Sequence, residues 1–415
     1  MLLVAYAALM TQFIFGRAFR DSLLGSHLAI QSLPYLVTWS TLVSIIASLT
    51  VSNLFRSNKR KRIACAGFGI GVVVQLLFAL ASRRFSWLYG LFFIDVSAST
   101  IVGLSMIWIL IGDWASNCHA DRSRLIPAVM LYGTAASILA GIGLTHLRIA
   151  TSFRNANLIL AAMNIIPVAA LLFHSDEDCV ARHGFTFQDL QDHAYLPNKL
   201  LRKFALLVVV AAMTSTLLDL MFRVRVAEHY LHQSDRLHFL GLFQSLLSIC
   251  AFLSQIAVGR LSQKKLVLTF IHLHPAIVGV ASSLLALAPG FWLFTCLRSG
   301  EYSLRNSLFR YGSEMTYSCF PDRERATVRP LIDVIGERLG DLGASGILAL
   351  LLLVNPQLPA TLGLLLLALC SLLFWWICRT LERSISAIGA TAGLDLAGIA
   401  TSRYAGMAHE GAGIV

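Results

Sequence analysis

Two stretches, Gly112 to Arg124 (GDWASNCHADRSR) and Ser313 to Arg325 (SEMTYSCFPDRER), carry one charged signature twice. In the first, Asp113 is followed eight positions later by Asp121, Arg122 and Arg124. In the second, 201 residues on, Glu314 is followed at the same spacing by Asp322, Arg323 and Arg325. Other landmarks keep nearly that offset. Phe19-Arg20 matches Phe222-Arg223 at 203, and the basic loop from Arg56 matches the one from Arg260 at 204. A polar motif duplicated inside an apolar chain points to one membrane-embedded half present in two copies.

Composition agrees. The chain is 57% apolar and 13% charged with mean hydropathy +0.71, where soluble domains carry about 25% charged residues. Apolar runs of about 20 residues cross the hydrocarbon as helices. They fall near 2–28, 33–54, 63–82, 87–112, 125–147 and 155–174, and again near 203–230, 238–259, 266–287, 290–312, 329–354 and 358–380. The expected fold is an all-α membrane protein of twelve transmembrane helices in two pseudo-symmetric six-helix bundles, residues 1–174 and 203–380. A cytoplasmic linker, 175–202, joins them, and a cytoplasmic tail, 381–415, comes last. The opening MLLVAYAALM has no basic region ahead of its apolar stretch, so the first helix is expected to be retained. Eight scattered cysteines without a CxxC pair favour neither a disulfide framework nor a zinc site.

Lys and Arg are retained on the cytoplasmic side. Of 33 basic residues, 20 fall in the linker, the tail and the loops after helices 2, 4, 8 and 10, against 5 on the opposite side (Arg83, Arg84, Arg148, Arg154 and Arg236). Both termini are therefore expected to be cytoplasmic. The formal charge of +11 reads as a topology signal that an anionic lipid surface explains without nucleic acid.

The other eight basic residues lie in or near predicted spans, and all are arginine: 17, 20, 223, 225, 298, 305, 310 and 338. An ionised group in hydrocarbon costs at least about 2.5–3.5 kcal/mol, so such residues persist where a cavity, partner or ligand compensates. Arg suits bidentate capture of carboxylates and phosphates. For Arg17, Arg225 and Arg310, near helix ends, snorkelling is an equal alternative. On helix 10, Arg298, Glu301 and Arg305 are spaced i, i+3, i+7 and share one helical face. That stripe reads as cavity-lining, with Glu301 neutralising one Arg and the other left for an anion; a purely structural salt bridge is the alternative. Helices 1 and 7 present Arg20 with Asp21 and Asp219 with Arg223, as the outer part of the same cavity or as an external gate. Asp95, a lone carboxylate in helix 4, is either a proton carrier or a satisfied polar contact. The duplicated motifs, at the cytoplasmic ends of helices 4 and 10, read as a salt-bridge gate.

The segment Asn306 to Ser345 resembles the ATP/ADP translocase-type nucleotide transporters of intracellular bacteria and plastids, which carry a run close to YSLFDPTKEMAYIPLD and then an ID-x3-GRLGK-x-G element. Ser307-Leu308-Phe309, Glu314-Met315, Tyr317, Ile332-Asp333, Arg338-Leu339-Gly340 and Gly343 match. FRDSLLGSHLAIQSLPYLVTW, from Phe19, is similar to the start of that family. The resemblance implies a fold of the major facilitator type and members that exchange or import nucleotides, with Asp333 and Arg338 part of the cytoplasmic gate. Val37 stands where that family has lysine in LPFLKxW, Arg310 and Ser313 replace Asp and Lys of FDPTKE, and Asp341 replaces the final Lys of RLGK. These departures turn the expectation from ATP/ADP itself to a related anion.

The absence of GxxxxGK[ST] argues against an ATP-hydrolysing pump. His272 and His274 diverge by about 200° on a helix and read as interfacial or core histidines. The glycines of GFGIGVVV, Gly67 to Val74, read as packing sites. No enzyme chemistry, cofactor or metal is expected. The expected function is secondary active transport of an organic anion, a nucleotide or related phosphorylated metabolite, by a monomer in a bacterial inner membrane, exchange being one mode. The alternatives are a proton-coupled carrier of a neutral or cationic compound, using Asp95, Asp219 or Glu301, and a non-transporting receptor or scaffold.

Overall fold

The computed structural model describes residues 1–55, 59–81, 85, 87–117, 122–146, 152–173, 199–261, 267–287, 290–305, 309, 312–313, 331–354 and 360–392. Among them the chain forms twelve long helices: α1 Leu2–Ser22, α2 Leu33–Leu54, α3 Arg60–Ala81, α4 Trp87–Asn117, α5 Arg122–His146, α6 Phe153–Leu172, α7 Lys199–His229, α8 Gln233–Leu261, α9 Val267–Leu287, α10 Phe291–Leu304, α11 Glu337–Val354 and α12 Ala360–Ala392. A π-helical turn, Leu331–Gly336, leads into α11. Nine of the described helices are long and apolar enough to cross a bilayer. The exceptions are α9, α10 and α11, and the last two have visible causes. α10 is described over 14 residues and carries Arg298 and Glu301, while α11 begins with Glu337, Arg338 and Asp341. The protein is a multi-pass membrane protein.

Contacts gather the chain into two compact units. The first holds Met1–Gln188, Asp219–Phe252 and Ser345–Leu358; the second holds Asp189–Leu218, Leu253–Ala344 and Pro359–Val415. In the first, α1 packs on α4, α5 and α6, α3 on α6, and α2 on α4. Its core joins Tyr6 and Leu9 of α1 to Phe68 of α3 and Met106, Ile107 and Leu110 of α4. In the second, α9 packs on α12 and α10. Its core sets Phe204 and Leu207 of α7 against Phe374, Ile377 and Leu381 of α12.

Hydrocarbon supplies no hydrogen bonds, so hydroxyls within the helices bond back to the preceding turn, as Thr11 does to Ala7 O (3.0 Å) and Ser44 to Ser40 O (2.6 Å). Lipid is as apolar as leucine, and close approach at small residues therefore drives much of the helix pairing. A Cβ on Gly71 of α3 would stand 3.3 Å from Asn164 Oδ1 of α6, and one on Gly67 3.0 Å from Met106. These glycines of the GFGIGVVV segment thus serve packing. A Cβ on Gly141 of α5 would strike Ser245 and lie 2.6 Å from Gly241 O, both on α8.

The structure ends the first expected span early and carries α4, α8 and α12 beyond theirs. α1 stops at Ser22 although apolar residues continue, because Gly25 takes φ +78° and donates its N–H to Leu28 O at 2.8 Å, closing a tight turn. α4 continues through Asp113 to Asn117, and α12 continues to Ala392. α8 begins at Gln233, which moves Arg236 from an expected external loop into a first helical turn. There it is buried, 1% exposed, with Nη1 2.8 Å from where a Gly25 Cβ would sit. Desolvation, reinforced by nearby Arg236, holds the imidazole of His27 below its ordinary pKa. The predicted linker, 175–202, lies almost entirely outside the described residues, which resume at 199 within α7.

Gly25→Ala forces a side chain into left-handed backbone, at about 1–2 kcal/mol, and presses it on Arg236. The variant should unfold several degrees below the parent in a detergent thermal melt, and Arg236→Met in the same background should recover part of that loss by relieving the contact.

Candidate functional site

The first unit gathers charges from two helices onto two carboxylates. Arg17, Arg20 and Asp21 share one end of α1, one turn and one residue apart, and Asp219 and Arg223 share a face of α7 at i, i+4. Arg17 Nη2 donates to Asp219 Oδ1 at 2.8 Å, and its Nε lies 4.0 Å from Asp21 Oδ2. Arg223 bridges the same two acids, pairing closely with Asp219 and reaching Asp21 Oδ1 at 3.2 Å. Arg20 Nε donates to Asp21 Oδ1 at 2.8 Å, its Nη1 to Ser97 Oγ of α4 at 2.6 Å, and its Cζ stands 4.5 Å over the Phe93 ring. Asp21, 6% exposed, is thus shared by three guanidinium groups.

Donors outnumber acceptors in this cluster. Three guanidiniums present about fifteen N–H groups, and two carboxylates about eight lone-pair sites. The described pairs also leave one positive charge in excess. Arg17, a candidate for snorkelling by its place near a helix end, is turned inward to Asp219. Arg225 pairs with Glu228 at 2.9 Å on an exposed flank, and Arg310 lies outside the described residues.

The second unit holds the helix 10 stripe. Arg298 pairs with Glu301 one turn along and donates to Ser215 Oγ at 3.3 Å. Arg305 donates to the same Ser215 Oγ at 2.8 Å and, through Nη2, to Glu337 Oε1 of α11 at 3.1 Å. The second arginine of the stripe therefore has an acidic partner of its own, which corrects the expectation that it stands unpaired. The partner is 32 residues away, just past the π turn, where no spacing rule connects it to Arg305. Next along α11, Arg338 pairs with Asp341 at 2.6 Å, and Thr216 donates to the same Asp341. A Cβ on Gly340 would stand 2.6 Å from Ala212 Cβ and 2.9 Å from Met213 N, so only glycine lets α11 press this closely on α7. Three guanidiniums meet three carboxylates here.

Asp95 sits apart from both clusters. Its Oδ2 accepts a 2.8 Å hydrogen bond from Gln75 Nε2 of α3. Of the gate candidates, Asp121, Glu314, Asp322, Arg323 and Arg325 lie outside the described residues, as do the side chains of Asp113, Arg122, Arg124 and Asp333, whose backbones are helical. Arg338 is described, in its pair with Asp341. Sequence reasoning missed Ser97, Ser215, Thr216 and Glu337. Helical hydroxyls spaced near charged positions on facing helices were the only available signal.

No protein-family model and no curated protein matches this chain. Solved structures do. An aspartate-to-alanine variant of the nucleoside transporter NupG superposes with TM-score 0.70 at 15% identity, over 92% of this chain and 100% of the other. NupG itself gives 0.68 at 13%, over 92% and 99%. A bacterial homologue of the iron transporter ferroportin, in an inward-facing state, gives 0.63 at 13%, over 91% and 97%. The fold is of the major facilitator type. At these identities the likeness concerns the path of the chain, so the ATP/ADP translocase resemblance narrows to that fold.

Breaking a buried ion pair by removing one partner costs about 3–5 kcal/mol, because the other charge is stranded. Asp21→Asn, which strands contacts to three arginines, should lower the apparent melting temperature more than Asp219→Asn, which strands two. The double variant Asp21→Asn/Arg223→Gln should melt above Asp21→Asn alone, the coupling expected of groups in one network.

Proposed function

We propose that the chain is a secondary active transporter that moves a small organic anion, a nucleotide or related phosphorylated metabolite, by alternating access. The observation that carries this reading is the first-unit cluster, in which Arg17, Arg20 and Arg223 share Asp21 and Asp219 with N–H donors and one positive charge to spare. A phosphate or carboxylate takes up such donors in pairs. Arg20, Asp21, Asp219 and Arg223 would hold the anion; Arg298, Glu301 and Arg305 are the candidate binding residues of the second unit. The duplicated motifs, together with Asp333 and Arg338, would gate the cytoplasmic mouth. The basic loops support cytoplasmic termini in a bacterial inner membrane. Likeness to a nucleoside transporter supports a nucleoside-based solute.

A second reading, proton-coupled movement of a neutral solute such as a nucleoside, is favoured by one observation. Among the described residues of the second-unit cluster the charges match, Arg298 with Glu301, Arg305 with Glu337 and Arg338 with Asp341.

Uptake of labelled nucleotides, nucleosides and phosphorylated metabolites into proteoliposomes separates the two. Removing a hydrogen bond to a charged group costs about 1.5–3 kcal/mol, so Arg20→Lys and Arg223→Lys, which keep charge and lose the bidentate fork, should each lower anion uptake by about tenfold to a hundredfold. Uptake of neutral nucleosides alone, indifferent to both substitutions, would overturn the anion reading in favour of the second.

A further inference from the structure

One buried pair in the second unit is left incomplete by the network around it. His274 of α9 and Glu301 of α10 are each 0% exposed. His274 Nε2 lies 3.6 Å from Glu301 Oε1, beyond a formed hydrogen bond, and Nδ1, Nε2 and Oε1 all lack a hydrogen-bond partner. The other oxygen, Oε2, is taken by Arg298. A histidine with a purely packing role usually satisfies at least one nitrogen, since a buried unpaired polar group costs about 1–3 kcal/mol. Here two ring nitrogens are unpaired, and one of them faces an unpaired carboxylate oxygen.

The groups facing this ring from its neighbours are few. α10 contributes Glu301 and, behind it, Arg298; Arg305, one turn further, is engaged by Glu337. From α12 the ring meets Phe374, centroids 5.3 Å apart, and Phe309 lies at 5.7 Å. Glu382, the acid of α12 in this neighbourhood, is held by His272 at 2.9 Å. Among the described residues Glu301 is thus the carboxylate that meets His274, beside the rings of Phe309 and Phe374.

We propose that His274 and Glu301 form the proton-binding site of the transporter, with one proton loading on His274 Nε2 against Glu301 Oε1; this rests on the transporter reading above. The proton comes from water and returns to it, and no covalent bond other than N–H is made or broken. Arg298 already occupies Glu301 Oε2, so the added proton is placed on the imidazole, which can carry a second N–H. Loading it converts a cluster of three matched ion pairs into one with a positive charge in excess. An anion held by Arg298 or Arg305 would compensate that charge, so proton and anion would each strengthen the other's binding by the same factor, as linkage requires. Charge matching in the second unit and anion transport then belong to one scheme, a proton–anion symport.

The test uses the full-length protein. In detergent, histidine-selective NMR should show one resonance, absent in His274→Gln, that moves as the pH is lowered. Its midpoint should fall in Glu301→Gln by about one unit, a tenfold weaker hold on the proton. In proteoliposomes, an imposed ΔpH should drive accumulation of adenosine monophosphate, and His274→Gln should lose that drive. Should His274→Gln fail to fold, His274→Phe, which matches the ring among Phe309 and Phe374, takes its place. A His274 that stays neutral throughout, or a ΔpH response intact in the variant, overturns the proposal. If no probe is transported, the transporter reading fails separately, and the titration still decides the site: a titrating His274 sustains it and a silent one removes it.

Discussion

An unpartnered guanidinium is intolerable in hydrocarbon, and this chain places six described ones within its two clusters. The arrangement that makes this possible in the first unit is the sharing of Asp21. Arg20 and Arg223, which occupy matching positions of the sequence repeat, converge on this one carboxylate. Much local structure depends on it. α1 ends one residue past Asp21, ahead of the turn at Gly25, and the guanidinium of Arg236 lies against that turn. Ser97 and the face of Phe93 take up what Asp21 cannot satisfy on Arg20.

The second unit solves the same problem differently. Each of the three described guanidiniums of its cluster has a carboxylate, supplied by two helices that meet near Ser215 and Thr216 of α7. The change of hydrogen-bond register at Leu331–Gly336 comes just before Glu337, the acid that reaches back to Arg305. A π turn rotates the residues beyond it away from the angular positions a regular helix would give them, and such turns recur at functional sites. Gly340 then allows α11 close enough to α7 for Asp341 to reach Thr216.

Much of this is legible in the sequence, for a definable reason. Twelve spans can be read from apolar runs, because the bilayer imposes both length and composition. Pairs within one helix, Asp219 with Arg223 and Arg298 with Glu301, can be read from i, i+4 and i, i+3 spacing. Pairs between helices cannot. Nothing local links Arg305 to Glu337 or Arg17 to Asp219, so a stripe with one acid and two arginines looks unbalanced until α11 supplies the second acid. The end of α1 is misplaced by hydropathy, which sees Leu23, Leu24 and Leu28 and is blind to one glycine with positive φ. The extension of α4 escapes it because polar residues end a span without ending a helix.

Shared carboxylates also bear on how charged groups survive motion. A guanidinium held by one fixed partner in a low-dielectric interior resists displacement, since each separation strands two charges. One held by two acids, as Arg223 is by Asp21 and Asp219, can weaken one contact while strengthening the other, so intermediate positions retain compensation. Arg17 bridges the same two acids. Such a ring tolerates rearrangement, and an anion of the kind proposed would substitute for one carboxylate arm without leaving a bare cation. In the proton-binding proposal the His274–Glu301 gap is the counterpart: a place where the network would accept one proton without breaking a pair already made.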